Sequence, residues 1–194
     1  MSSHQPVVTD QILDLIESRS DEQRGNRRMS NEVVQALKDC GFYTMMLPKK
    51  WGGQEQRPQE FFREQIRIAE ADMSTAWASG IIAVHAFQIA LMSEEAKREV
   101  YEVDPNTLVS SSYNPVGAKA ASSDGGFMLS GRWGWSSGSE HCSWALLGGV
   151  IPGDGYRTFL VPRDQYVIED TWNVMGLQGT GSNDVVIDTP IFVP

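Results

Sequence analysis

The spacing of apolar residues changes character once along the 194-residue chain, near residue 105. Before that point it follows a helical period. Residues 10–24 set Ile12, Leu13, Leu15 and Ile16 among charged neighbours, as an amphipathic surface helix does. Ser30 stands where an N-cap is needed, because its hydroxyl can accept from a backbone N–H that the helix leaves orphaned. Val33, Val34, Leu37 and Cys40 then form a stripe that Gly41 closes. An apolar run at 42–47 ends at Pro48 and the turn Trp51-Gly52-Gly53. Pro58 suits the first turn of a further helix, where its missing N–H costs nothing, and Phe61, Phe62, Ile66 and Ala69 are expected along one side. Ser74 is the expected cap of a longer helix to about Met92, which is apolar on nearly every face and so expected to be buried. Ser93, Glu94 and Glu95 begin a short charged helix that stops before Asp104-Pro105.

Beyond Pro105 the pattern is one of strands and turns. Residues 108–113, 127–135, 144–150, 158–161 and 185–193 are rich in β-branched and aromatic side chains. Asp124-Gly125-Gly126 and Gly153-Asp154-Gly155 are predicted hairpin turns. Helices grouped first and strands afterwards predict an α+β fold, with an N-terminal all-helical domain over 1–105 and a β-barrel or β-sandwich domain over 106–194. No GxGxxG opens a helix after a strand and no Walker A motif occurs, so neither phosphate-cradling loop is supported.

Charge narrows the partners. Lys and Arg number 16 against 25 Asp and Glu, a net charge of -9, which argues against nucleic acid and anionic membrane surfaces as partners. Hydrophobic residues at 41% and charged residues at 21% exclude disorder throughout. Two distant cysteines, Cys40 and Cys142, give neither a disulfide framework nor a thiolate zinc site. The start has no basic segment leading into an apolar one, and the apolar stretch 76–92 is interrupted by His85 and Gln88 and falls short of the ~20 residues that span a bilayer. A cytoplasmic protein without a membrane anchor or a metal is expected.

The candidate chemistry is sparse. His85 lies in line with Trp77 and Ile81 in the long helix, where a lone histidine is more often a hydrogen-bonded core residue than a catalyst. Two hydroxyl clusters, Ser110-Ser111-Ser112-Tyr113 and Ser136-Ser137 after Trp133-Gly134-Trp135, suit either turn capping or the polar edge of a flat ligand against an aromatic wall. Glu140-His141-Cys142 looks metal-like, yet three adjacent residues cannot all face one ion. The loop at 176–183 is glycine-rich enough to wrap an anion or to be a plain turn. No nucleophile with an adjacent base stands out, and GxSxG is absent.

Four separated motifs carry a resemblance when taken together: Leu47-Pro48 with Trp51-Gly52-Gly53, SSSYNPVG at 110–117, GRWGWSSG at 131–138 and GLQGTGSND at 176–184. In this order the chain resembles the acyl-CoA dehydrogenase superfamily from about Ser30 to Pro194. Within it the chain is similar to the oxygenase components of two-component flavin-dependent monooxygenases that hydroxylate phenols, including those of steroid catabolism. The resemblance implies a helical domain, a β-domain and a C-terminal four-helix bundle in a homo-tetramer, with the bundle's portion absent from this chain. It implies that Trp135 packs at the flavin ring edge, that Ser136 or Ser137 bonds near its N5, that Ser110, Ser111, Ser112 and Tyr113 line flavin and substrate, and that His85 is the substrate-side histidine. The cofactor implied is a reduced flavin, FMNH2 or FADH2, delivered by a separate NAD(P)H-dependent reductase, with O2 as cosubstrate. Oxygen activated on the flavin would attack a phenol ortho to its hydroxyl, with the histidine, at a pKa suited to neutral pH, accepting the phenol proton. Close relatives of this type usually carry arginine where this chain has Gln178. Tyr113-Asn114-Pro115 and Trp135-Ser136-Ser137 stand where acyl-CoA dehydrogenases have Thr-Glu-Pro and Trp-Ile-Thr, which favours the hydroxylase branch. The alternatives are an acyl-CoA dehydrogenase and a non-catalytic binding or assembly module.

Overall fold

A computed structural model describes residues 6–194. Helices come first: α1 (Asp10–Asn26), α2 (Asn31–Asp39), α3 (Pro58–Ala71), α4 (Met73–Ala90) and α5 (Glu94–Tyr101). Strands follow: β1 (Val109–Ser112), β2 (Ala118–Ser123), β3 (Gly126–Ser136), β4 (Trp144–Ile151), β5 (Gly155–Pro162), β6 (Val167–Glu169) and β7 (Asn183–Val193). This is the α+β order that the change of period implies. No described helix is long and apolar enough to cross a membrane.

Capping fixes where the helices begin. The Ser30 hydroxyl accepts from the Val33 N–H at 3.2 Å and starts α2. For α4 the cap is Asp72 rather than the expected Ser74. The Asp72 carboxylate accepts from the Thr75 N–H at 2.6 Å and from the Thr75 hydroxyl at 2.7 Å. A carboxylate answers two donors at once and gains from the positive end of the helix, which a serine one turn inside cannot do.

Two helices carry more open apolar surface than their patterns predict. On α3 the buried side is Phe61, Glu64 and Ile68, while Phe62 is 53% and Ile66 61% exposed. Two stripes of similar hydrophobicity compete there, and the one with Glu64 is buried because its carboxylate accepts from the backbone N–H groups of Val7 and Val8, at 3.2 and 3.1 Å, and pairs with Arg67. Along α4, instead of burial on every face, Met73, Trp77 and Phe87 stay exposed.

The strands form two sheets, one ordered β1-β4-β5 with β1 parallel to β4, the other β2-β3-β7-β6 and antiparallel throughout. β2 and β6 are strands that the sequence pattern does not predict. β2 is built of Ala, Lys and Ser without a β-branched residue, and β6 has only 3 residues, so neither has a strand-like pattern. Trp133, Leu129, Leu147, Phe159, Val161, Val185 and Ile187 fill the space between the sheets. The Trp133 indole N–H donates to the Gly148 carbonyl of β4 at 2.7 Å and so ties one sheet to the other. Leu108 and Cys142 join the helical core, while Ala86 and Ile89 of α4 pack with Val109 and Leu146. α4 is therefore clamped between the other helices and the sheet that begins with β1.

Replacing Asp72 by Ala should destabilise the fold by about 1–2 kcal/mol, while Ser74→Ala should cost less than about 0.5 kcal/mol. Urea denaturation of both variants checks this, and equal costs would contradict the assignment of the cap.

Candidate functional site

β1 and α4 bring His85 into place. Its ring is 1% exposed, and Nδ1 lies 2.6 Å from the Val109 carbonyl oxygen. A carbonyl only accepts, so Nδ1 carries the proton and Nε2 keeps its lone pair. Burial lowers the imidazole pKa from 6.5 to about 4, against a smaller opposing effect of the Val109 bond. The near-neutral pKa expected of this histidine is therefore replaced by an imidazole that stays uncharged at neutral pH. Tyr113 meets the ring edge-on at 6.2 Å between centroids, and its hydroxyl donates to the Gln88 side chain one turn further along α4.

The alternation of β1 divides the serine cluster. Ser110 and Ser112 turn to one face, where Ser110 Oγ donates to the Trp144 carbonyl at 3.4 Å and Ser112 Oγ to the Gly134 carbonyl at 2.6 Å. Ser111 and Tyr113 share the other face with Val109, which packs on α4. Hydroxyls adjacent in sequence thus serve different surroundings.

At the far end of β3 the pairing with β7 slips. Trp133 opposes Val185 and Ser136 opposes Asn183, so the β3 side carries one residue more than its partner. Trp135 sits in this bulge with φ +64 and is 73% exposed. A bulge re-aims a side chain, and a left-handed non-glycine residue costs of order 1 kcal/mol, a combination that concentrates at functional sites. Ser136, next along, is fully buried and its hydroxyl has no partner.

Ser137 is tied to two other elements. Its Oγ accepts from the Trp77 indole N–H of α4 at 3.2 Å and lies 2.8 Å from Ser182 Oγ. Ser182 in turn lies 2.7 Å from Thr180 Oγ1, which donates to the Leu177 carbonyl at 3.0 Å. The glycine-rich loop thus spends its hydroxyls on Ser137. It also packs so closely on the start of α4 that a Cβ on Gly179 would lie 3.1 Å from Ser74 Cβ. Trp77, Thr180 and Ser182 were not singled out as site residues, because 60 and 45 positions separate Trp77 and Ser182 from Ser137. The signals for them are the glycine-bracketed motif at 176–184, which holds Thr180 and Ser182, and the line of Trp77 with His85 along α4.

Trp77, Ile81, Val84 and Gln88 follow one another along α4 at helical spacing, all partly or largely open to solvent. Eleven residues at 1.5 Å each put about 16 Å between the Trp77 end and the Gln88 end. Trp135 and Ser137 stand at the first end, His85 and Tyr113 at the second.

The Glu140-His141-Cys142 segment has other partners. Glu140 pairs with Arg28 at 3.1 Å, and the buried Cys142 thiol contacts the Gly138 carbonyl. Among the described residues no group of three or more His, Cys, Asp or Glu could hold a metal ion.

No family model matches the chain. Over 192 residues it is 43% identical to the flavin-dependent monooxygenase oxygenase subunit HsaA of Mycobacterium tuberculosis, a match covering 97% of this chain and 48% of that protein. It is 36% identical over 188 residues to the oxygenase component of an FADH2-dependent resorcinol hydroxylase of a Rhizobium species, covering 94% of this chain and 46% of that one. The solved structure of the 3-HSA hydroxylase of Rhodococcus sp. RHA1 matches with a TM-score of 0.94 at 40% identity, over 100% of this chain and 52% of that one. The chain spans about half the length of these relatives. By sequence and by fold the chain is similar, over that half, to the oxygenase components of flavin-dependent monooxygenases.

Proposed function

We propose that the chain forms the helical and β parts of the oxygenase component of a two-component flavin-dependent monooxygenase that ortho-hydroxylates a phenol. In this reading it uses FMNH2 or FADH2 from a separate NAD(P)H-dependent reductase, works in the cytoplasm, and assembles as a homo-tetramer in its full-length form. The names of the relatives support the reaction class. The observation that carries the reading is the bulge: an exposed, strained Trp135 beside an unpartnered buried Ser136 hydroxyl and an anchored Ser137 fits a flat ring with a polar edge. The open stripes on α3 and α4 support cover by further helices, of the kind the resemblance implies.

A reduced flavin bound there would supply electrons to O2. Trp135 would pack on the edge of the ring and Ser137 would bond to its polar rim. At the other end, Nε2 of neutral His85 would accept a hydrogen bond from the phenol hydroxyl and enrich the aromatic ring. Complete transfer of the proton, from a phenol of pKa ~10 to an imidazole of about 4, is uphill by about 8 kcal/mol before the resulting charges pair. His85 therefore orients and polarises the phenol rather than deprotonating it outright. Burial raises the Tyr113 phenol pKa, so its hydroxyl stays protonated and committed to Gln88.

Anaerobic titration with reduced FMN and reduced FAD, followed by a phenol and O2, tests the reading. Quenching of tryptophan emission and formation of a catechol are expected. Bleaching of separately bound oxidised flavin by an acyl-CoA would establish a dehydrogenase instead, and binding of neither flavin would favour a non-catalytic module.

Three outcomes should accompany this. Trp135→Asn, which tolerates φ +64, should hold stability or raise it by up to about 1 kcal/mol while weakening flavin binding at least several-fold. A loss of stability in thermal melts would show that Trp135 is structural. His85→Asn keeps a donor for the Val109 carbonyl but removes the Nε2 acceptor. It should lower hydroxylation by roughly 10²-fold or more with flavin affinity little changed; equal losses of both, or of folding, would assign His85 to the core. The depressed His85 pKa also sets a pH dependence: below pH 6.5 the unfolded chain takes a proton that the folded one refuses until about 4, so stability should fall as pH drops through that window. The fall, read from urea midpoints, should reach about 3 kcal/mol. His85→Asn should flatten part of the slope, since burial lowers the His141 pKa as well.

A further inference from the structure

The hydrogen bonds around Ser137 have a direction, and that direction selects the ligand. Thr180 Oγ1 faces the Leu177 carbonyl, which can only accept, so the single Thr180 hydroxyl proton points there. The contact between Thr180 and Ser182 then requires Ser182 to donate. With its proton spent, Ser182 can only accept from Ser137. At the other end Trp77 has an indole N–H and no acceptor, so it donates to Ser137 Oγ. The backbone N–H of Ser137 donates to the Trp135 carbonyl at 3.1 Å, and that of Gly138 to the Thr180 carbonyl at 2.9 Å. The Ser137 hydroxyl proton and the backbone N–H groups of Ser137 and Gly138 are committed, and the unpartnered Ser136 hydroxyl beside them is fully buried. The free valence of the Ser137 hydroxyl is one lone pair.

We propose that Trp77, Ser182 and Thr180 are positioning residues that hold Ser137 as an acceptor, so that the site takes a ligand N–H and prefers reduced flavin to oxidised flavin. This rests on the flavin reading above. Reduced isoalloxazine carries hydrogen on N5 and can donate to that lone pair. In the oxidised ring N5 is itself an acceptor and meets the Ser137 oxygen lone pair to lone pair, which disfavours binding. The chain of hydroxyls thereby matches an oxygenase that must take flavin in its reduced state and release it afterwards. Thr180 and Ser182 touch no ligand. Their influence runs through the direction of one proton.

Two measurements on the chain and its Ser137→Ala, Ser182→Ala and Thr180→Val variants test this. In ¹⁵N–¹H spectra without flavin, hydrogen exchange of the Trp77 indole N–H should be slowed, should become fast in Ser137→Ala, and should stay slow in Thr180→Val. Dissociation constants for reduced and oxidised FMN and FAD, measured anaerobically, should favour the reduced form. That preference should shrink by roughly fivefold to tenfold in Ser182→Ala and Thr180→Val, where Ser137 regains a proton to offer outward. An unchanged ratio with binding intact would overturn the relay, as would identical Trp77 exchange in the parent chain and Ser137→Ala. If the Trp77 signal behaves as expected but neither redox form binds, flavin is overturned as the ligand, and with it the functional reading. A merely structural role for Thr180 or Ser182 would change melting temperature and leave the ratio alone.

Discussion

The hydrogen bond from His85 Nδ1 to the Val109 carbonyl joins the C-terminal half of α4 to the first residue of β1. Much of the candidate site depends on that joint. α4 carries small residues, Ala78, Gly80, Ala83 and Ala86, among its buried positions, which lets it lie close against its neighbours. A second bond, from Trp77 to Ser137, fixes the same helix to the β3 bulge. Held at both places, α4 keeps one stripe facing outward at a fixed angle to the strands. A helix free to rotate by one residue, about 100°, would carry Trp77 away from Ser137 and His85 away from Val109 together. The geometry at one end therefore constrains the other.

Strain is concentrated where the chemistry is proposed. Trp135 occupies a left-handed conformation within a bulge, and the Ser136 hydroxyl beside it is buried without a partner. Each is a cost the fold must offset elsewhere, and the Trp133 indole, buried between the sheets and bonded to Gly148, lies on the same strand two residues away. A rigid anchor next to a strained, solvent-facing ring is an arrangement that presents an aromatic surface without letting it move.

Much of this was legible from the residues in order. The switch of hydrophobic period located the change from helix to strand, and Ser30 marked its helix start because capping is local chemistry. Competition between near-equal signals was not legible. Asp72 and Ser74 are both good caps, and the stripes through Phe61 and Phe62 are alike until Glu64 meets the backbone N–H groups of Val7 and Val8. At the site, a lone histidine in an apolar helix drew attention to His85, and the 131–138 motif to Trp135 with Ser136 or Ser137. The division of Ser110 and Ser112 from Ser111 and Tyr113 follows from strand alternation, yet which face meets α4 is decided by tertiary packing. The Trp77–Ser137–Ser182–Thr180 relay joins three distant segments, and its direction exists only once they are assembled.

In the proposed reading, Trp135 and Ser137 toward one end of α4 and His85 toward the other form one face that receives flavin and phenol in that order. Titrating the isotope-labelled chain anaerobically with reduced flavin, then with a phenol, and following backbone and indole resonances tests it directly. Flavin should move the signals of Trp135, Ser137 and Trp77 first, and the phenol should then move those of His85 and Tyr113, with the β4–β5 turn at Gly153 silent throughout. Shifts centred on that turn or on α1, or a phenol response confined to the Trp135 end, would contradict the account.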